Sequence, residues 1–371
     1  MSIQQDISFS AIKSPAVLPE KAPLFGALDL GTNSCRMLIA RPRKNDFEVV
    51  DAFSKTVYLG KGMDTTGRLS NAAMRRTISA LHVCQKKLRQ HNVKYSRLVA
   101  TAACRQAVNG RDFIKRARRE THIKLEVIKP AEEARLAVVG SVGHLKLMTE
   151  QVLVVDIGGG STELVWLDLT NVKPENRRSS IMRLQSNLMQ TKRLDAATGV
   201  KVVDWVSVPF GVSTLKEQFS DVQEDKAAYA MMSWYFEEYI THFGPSNSNS
   251  LANILPNFQI IGTSGTITTI AASHLGLIRY DRQKVDGYEM TSDQVEAEID
   301  RYLVGGPVWR ADNPCIGAGR KGLIMSGAAI LRSILRVWPT NTLTVADRGL
   351  REGILYSLMI EDNVLLGGRY S

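Results

Sequence analysis

Residues 152–167 read VLVVDIGGGSTELVWL: an apolar run ending in Asp156 and Ile157, three glycines at 158–160, Ser161, then a second apolar run entered through Glu163. Two such runs around a small-residue turn specify a buried strand, a tight turn and a returning strand. The same grammar stands in LFGALDLGTNSCRMLI at 24–39. Aligning Asp29 on Asp156, 127 residues apart, also superposes Leu30 on Ile157, Gly31 on Gly158 and Ser34 on Ser161. Two copies of one device, a domain length apart, predict a duplicated architecture.

Outward from these copies the pattern alternates. Residues 71–91 carry Met74, Ile78, Leu81, Cys84 and Leu88 on one helical stripe, with Ser70 placed as an N-cap. RLVATAAC and IKLEVIK read as short strands, 111–120 as a basic helix, and Pro130 opens a helix to about Gly143. FQIIG at 258–262 is a strand, followed by helices at 266–275 and about 320–337. The fold class is therefore α/β. The division expected is an irregular leader over 1–23, a first half over 24–145 and a second half over 146–371. Residues 168–203, with seven Lys/Arg against three acids, read as a solvated basic excursion that can be trimmed without loss of chemistry, or else as an arm gripping polyanions; GPSNSNS at 244–250 reads as a flexible turn.

Composition narrows the function classes. With 371 residues, 44% hydrophobic and 23% charged, the chain can bury one or two cores, which excludes wholesale disorder. No apolar run reaches the roughly 18 residues of a membrane span, and the N-terminus lacks the apolar centre of a secretory signal. The four cysteines are scattered without a CxxC pair and the six histidines show no HxxxH spacing. A zinc site and a disulfide framework are thus not expected, and a cytoplasmic location is. The net charge of +10 favours polyanionic partners.

An Asp at a strand end before a glycine-rich turn has a chemical use: the turn's amides converge on a phosphate and the carboxylate holds a metal ion through water. The candidates for phosphate are Gly31, Thr32, Asn33 and Ser34 in the first turn and Gly158, Gly159, Gly160 and Ser161 in the second. A third loop, GTSGT at 262–266, ends a strand and begins a helix, offering Gly262, Ser264, Gly265 and Thr266 to an anion. Glu163 follows Asp156 by seven residues, and Arg36 holds the matching place after Asp29, so one half offers an acid for a cation and the other a base for phosphate. Glu132 and Glu133 open the Pro130 helix, where its dipole favours ionised carboxylates. They lie about 100° apart, so one of them at most faces a cleft, and periodicity does not choose between them.

DLGTNS, DIGGGSTE and GTSGT, in that order, resemble the two phosphate motifs and the nucleoside-side loop of the actin, Hsp70 and sugar-kinase superfamily. ATAACRQAVN (100–109), PAEEARL (130–136), SVPFGVSTL (207–215) and GLREGIL (349–355) narrow the resemblance to the exopolyphosphatase / guanosine-pentaphosphate phosphohydrolase family over roughly 24–360. The resemblance implies two ribonuclease H-like halves around a cleft. It implies magnesium, with manganese as alternative, held by Asp156 and Glu163 and flanked by Asp29. It assigns Glu133 as catalytic base and Arg105 as an anion contact. The chain reads as a short form without the helical, HD-like region of longer members. The activity expected is release of terminal phosphate from inorganic polyphosphate; guanosine pentaphosphate is the alternative substrate, and a non-catalytic polyanion sensor of the same fold is the second alternative. A kinase of the same superfamily is disfavoured by EEARL and GLREGIL. Neither a membrane nor, as the leading reading, a nucleic acid is expected as partner; a homodimer is compatible with the pattern.

Overall fold

The computed structural model describes residues 22–245, 257–317 and 320–366. Nearly all of the expected leader, and most of the expected turn at 244–250, lie outside these. The first sheet contains β1 (Phe25–Leu30), β2 (Ser34–Arg43), β3 (Asp46–Thr56), β4 (Tyr95–Ala100) and β5 (Glu126–Val127), in the order β3-β2-β1-β4-β5. The second contains β6 (Gln151–Ile157), β7 (Thr162–Asp168), β8 (Lys201–Val208), β9 (Phe258–Thr263), β10 (Glu289–Met290) and β11 (Leu343–Ala346), ordered β10-β11-β9-β6-β7-β8. Without the edge strand β10 the two orders are the same. In each, three antiparallel strands are followed by parallel additions on the far side of the first. The duplication extends to register: Asp29 pairs with Arg36 across β1–β2, and Asp156 with Glu163 across β6–β7. Ser70 caps its helix as its position predicts, accepting from Ala73 N. Among the described residues no helix is long and apolar enough to cross a membrane.

Strand β6 is apolar on both faces because both are covered. Leu153 and Val155 join one core with the helices Gly265–His274 and Ile324–Val337. Val152 and Val154 join another that reaches Phe25 and Ala27 of the first sheet through the helices Pro130–Ser141 and Leu350–Glu361. These two helices lie between the sheets. The Leu350–Glu361 helix, from the end of the range assigned to the second half, packs on β1 and on the Pro130 helix.

Gly140 and Gly353 set the crossing of that helix pair. A Cβ on Gly353 would lie 2.0 Å from the Leu136 carbonyl oxygen, and one on Gly140 1.8 Å from that of Gly349. Both obstacles are backbone, so the helices must part to admit a side chain. Gly353→Val is expected to cost at least about 1–3 kcal/mol of stability, read as a lower urea midpoint at unchanged m-value. An unchanged midpoint would mean that the helices separate freely.

The excursion at 168–203 is not peripheral, which corrects the expectation. It folds into helices Arg177–Met182 and Ser186–Thr191, and Val172, Ile181, Met182, Leu184, Leu188, Met189 and Val200 are buried in the core that surrounds the Pro130 helix. Arg177, 4% exposed, is buried too, donating to the Val172 and Leu147 carbonyls. Trimming the segment would open that core.

Candidate active site

The two glycine turns face each other in a cleft of about 410 Å³ between the halves. Each closes identically, Gly31 N donating to Ser34 O at 2.9 Å and Gly158 N to Ser161 O at 3.0 Å. Their outward carbonyls are occupied by neighbouring loops. Thr32 O accepts from Gly60 N, and Asn33 O from Val57 N and Tyr58 N; Gly158 O accepts from Val212 N and Gly159 O from Ser213 N. In a trans peptide the N–H points opposite to the carbonyl, so the amides of Asn33, Gly159 and Gly160, residues that line the cleft, point away from those loops. Among the described residues these amides meet no backbone acceptor. Rows of free amides of this kind bind anions. The turns touch through side chains, Asn33 Nδ2 donating to Ser213 Oγ at 2.8 Å. The third loop contributes Ser264, at φ 86° and ψ 178°, a conformation costly for any residue but glycine. That strain sits where its hydroxyl meets Asp156.

Six acidic residues line the cleft; Asp347 and Glu352 stand on the wall with Arg348 and Arg351, and the other four come from four elements. Asp29 and Asp156 are next to last in β1 and β6, Glu163 is second in β7, and Glu133 lies in the first turn of the Pro130 helix. Burial raises the pKa of each. Asp156 reaches about 6, with Asp29 pushing it further. Glu133, 8% exposed, reaches about 7, opposed mainly by Arg105 and raised again by Asp29 and Asp156. Glu163 goes well above its usual value under burial, Glu133 and Asp156, although Ser207 Oγ donates to it at 2.7 Å. The group is short of positive charge despite Arg36 beside Asp29 and Asp156.

The structure separates the two helix-opening glutamates. Glu132 turns away, accepting from Arg97 Nη1 at 2.7 Å, Arg135 Nε at 2.8 Å and Ser186 Oγ at 2.5 Å. Burial pushes its pKa up, but these donors outweigh burial and bring it down to about 2. It is thus permanently ionised and occupied, while Glu133 faces the cleft.

Two expected phosphate contacts do not line the cleft. Arg105 Nη1 donates to Glu133 Oε2 at 3.0 Å and to Ile128 O at 2.9 Å, so its guanidinium is engaged behind the acid. Gly262 is buried in β9, where a Cβ would lie 2.5 Å from Ile267 Cδ1; its small size serves packing. The other expected residues of the turns and of the third loop line the cleft, as does Arg36. Three arginines escaped the sequence reading. Arg320 sits against Gly265, donating to Thr269 Oγ1 at 2.5 Å, and Arg348 and Arg351 flank Gly349 and Leu350 on the same wall. Arg351 lies inside the quoted GLREGIL, which was its signal; Arg320 lies in a glycine-rich stretch whose spacing resembles any surface loop.

The donor set suits a hard cation. The cleft lining is rich in carboxylates and holds no His or Cys. Among the described residues no group of three or more acidic, His or Cys side chains is arranged to hold a metal by itself. Magnesium does not require such a group, since it takes one or two carboxylates and completes its shell with water and substrate phosphates.

The chain is similar to several known proteins. The chain is 28% identical over 339 residues to the guanosine-5'-triphosphate,3'-diphosphate pyrophosphatase of Aeromonas salmonicida, which covers 91% of this chain and 60% of that protein. The chain therefore spans about 60% of the length of that relative. Among solved structures, the Aquifex aeolicus Ppx/GppA family member superposes with a TM-score of 0.70 at 27% identity, covering 92% of this chain and 99% of that one. An exopolyphosphatase from Cytophaga hutchinsonii shares the fold at TM-score 0.74 and 23% identity, covering 91% and 98%. The Ppx/GppA phosphatase family model matches residues 38–362, which takes in the helix of Glu133, the second turn, the third loop and the arginine wall. On that match, the chain belongs to the Ppx/GppA phosphatase family.

Proposed function

We propose that the cleft hydrolyses the terminal phosphoanhydride bond of a phosphate chain. The observation that carries this is Glu133: a buried carboxyl near neutral pKa, facing two amide-lined turns across one cleft. The turns bind and orient the terminal phosphates, and Arg36, Arg320 and Arg351 balance their charge. Glu133 takes the proton of the attacking water, for which a pKa near the working pH is suited. Asp156 and Glu163, with Asp29 beside them, would hold magnesium, which when bound supplies neutralisation of the charge that develops on the phosphate oxygens.

The name of the Aeromonas relative supports guanosine pentaphosphate as substrate ahead of inorganic polyphosphate, the reverse of the order expected from charge. Polyphosphate stays as second reading on one observation, the concentration of positive charge in the first half. Phosphate release by the purified protein, with each substrate and no acceptor present, tests the proposal; release from neither would refute it.

Arg105 acts in this reading through Glu133. It lowers the pKa of that carboxyl, so its loss should raise it. Arg105→Ala is expected to lower kcat more than it raises KM and to move the rising limb of the pH–rate profile to higher pH. A rise in KM alone, at unchanged pH dependence, would return Arg105 to substrate binding.

A further inference from the structure

Residues 68–124 hold fifteen Lys/Arg against two acids, in a chain whose net charge is +10. The excess is arranged. In the helix Asn71–Gln90, Arg75, His82, Lys86 and Arg89 recur at offsets of seven, four and three, which puts them on one face, and all are exposed. In Gly110–Thr121, Arg111, Lys115 and Arg118 share a face in the same way, continued by His122, again all exposed. Neighbouring cations do have partners: Lys87 pairs with Asp51 and Arg116 with Glu120. Among the described residues Arg75, Lys86, Arg89, Arg111, Lys115 and Arg118 show no acidic partner.

The two helices run side by side in the same direction. At their starts Leu69 N donates to Asn109 Oδ1 at 2.8 Å and Asn109 Nδ2 to Leu69 O at 2.9 Å; at their ends His82, Lys86, Arg89 and His122 line one groove with a single acid, Glu120, which is paired with Arg116. The starts adjoin the cleft. Arg76 Nε donates to Val57 O at 3.1 Å, next to Tyr58, which lines it. From there the 20-residue helix carries its stripe about 30 Å outward.

We infer that these stripes form a seat for the distal part of a long inorganic polyphosphate whose terminal phosphates occupy the cleft. The inference rests on the phosphoanhydride reading above and extends it to substrate length. A repeating anion without bases needs regularly spaced cations and nothing else, which is what the two faces offer. Guanosine pentaphosphate ends too soon to reach the far groove.

The test compares the protein with a variant carrying Arg75→Gln, Lys86→Gln, Arg89→Gln and Arg118→Gln, all remote from the chemistry. Binding of long polyphosphate is measured on both in a Glu133→Gln background, across a salt series. The expected result is a roughly 10- to 100-fold loss of affinity and a salt slope shallower by about 3, from four lost contacts at roughly 0.7 each. The urea midpoint and, in the active background, turnover of tripolyphosphate and guanosine pentaphosphate should not change. Unchanged affinity and slope would overturn the seat. Equal or tighter binding of a single-stranded RNA of the same charge through the same four residues would overturn its assignment to polyphosphate. If the active protein releases no phosphate from any substrate while the four substitutions still weaken polyphosphate binding, the hydrolase reading falls and the seat stands.

Discussion

Glu133→Gln is expected to lower kcat by roughly 10²–10⁴, the range for a positioned general base. The substitution keeps size and polarity but removes the proton acceptor. Burial has placed the acid at about 7, so in the unsubstituted protein kcat should rise with pH through that region as Glu133 loses its proton. In Glu133→Gln that limb should vanish. Substrate affinity should survive, because the proposal places phosphate on the amides of the two turns and on arginines that do not touch Glu133. Glu132→Gln is the matched control. Its carboxylate is held by Arg97, Arg135 and Ser186 on the far side of the helix, so the loss should appear as about 1–3 kcal/mol of stability, with kcat within a few-fold. The reverse pattern between the two variants would move the base to Glu132.

Removal of divalent cations is expected to abolish turnover, and magnesium to restore it. Asp29, Glu133, Asp156 and Glu163 are all raised by burial, and each of the last three also by another acid of the group. Such a cluster ionises fully only when a cation offsets its charge. Magnesium binding near pH 7 should therefore release protons, since Asp156 and Glu133 sit near 6 and 7 without it. Calorimetric titration in two buffers of different ionisation heat measures that release independently of activity. Full turnover in excess chelator would refute the proposed metal role.

The halves were legible because a strand–turn–strand device repeated itself, and the cross-strand pairs Asp29–Arg36 and Asp156–Glu163 follow directly from equal turn lengths. What escaped depends on contacts distant in sequence. The Leu350–Glu361 helix returns to the first sheet through a crossing set by Gly140 and Gly353, and nothing local announces which sheet it will meet. The basic excursion hid its core because its helices are six residues each; apolar pairs such as Ile181–Met182 and Leu188–Met189 are too short to show a period. The resemblance implies an anion contact at Arg105, and the acid it meets is a buried glutamate 28 residues on, which no local pattern announces. Arg320 could be found only in three dimensions, where its loop folds over the third turn.

The central claim is that water attacks the terminal phosphate in this cleft. Hydrolysis in ¹⁸O-labelled water, followed by mass analysis of the phosphate released, tests it most directly. One labelled oxygen in each phosphate set free by the unsubstituted protein, and a release rate lowered by orders of magnitude in Glu133→Gln, is the result predicted. Unlabelled phosphate, or labelled phosphate released at the same rate by both proteins, would contradict it.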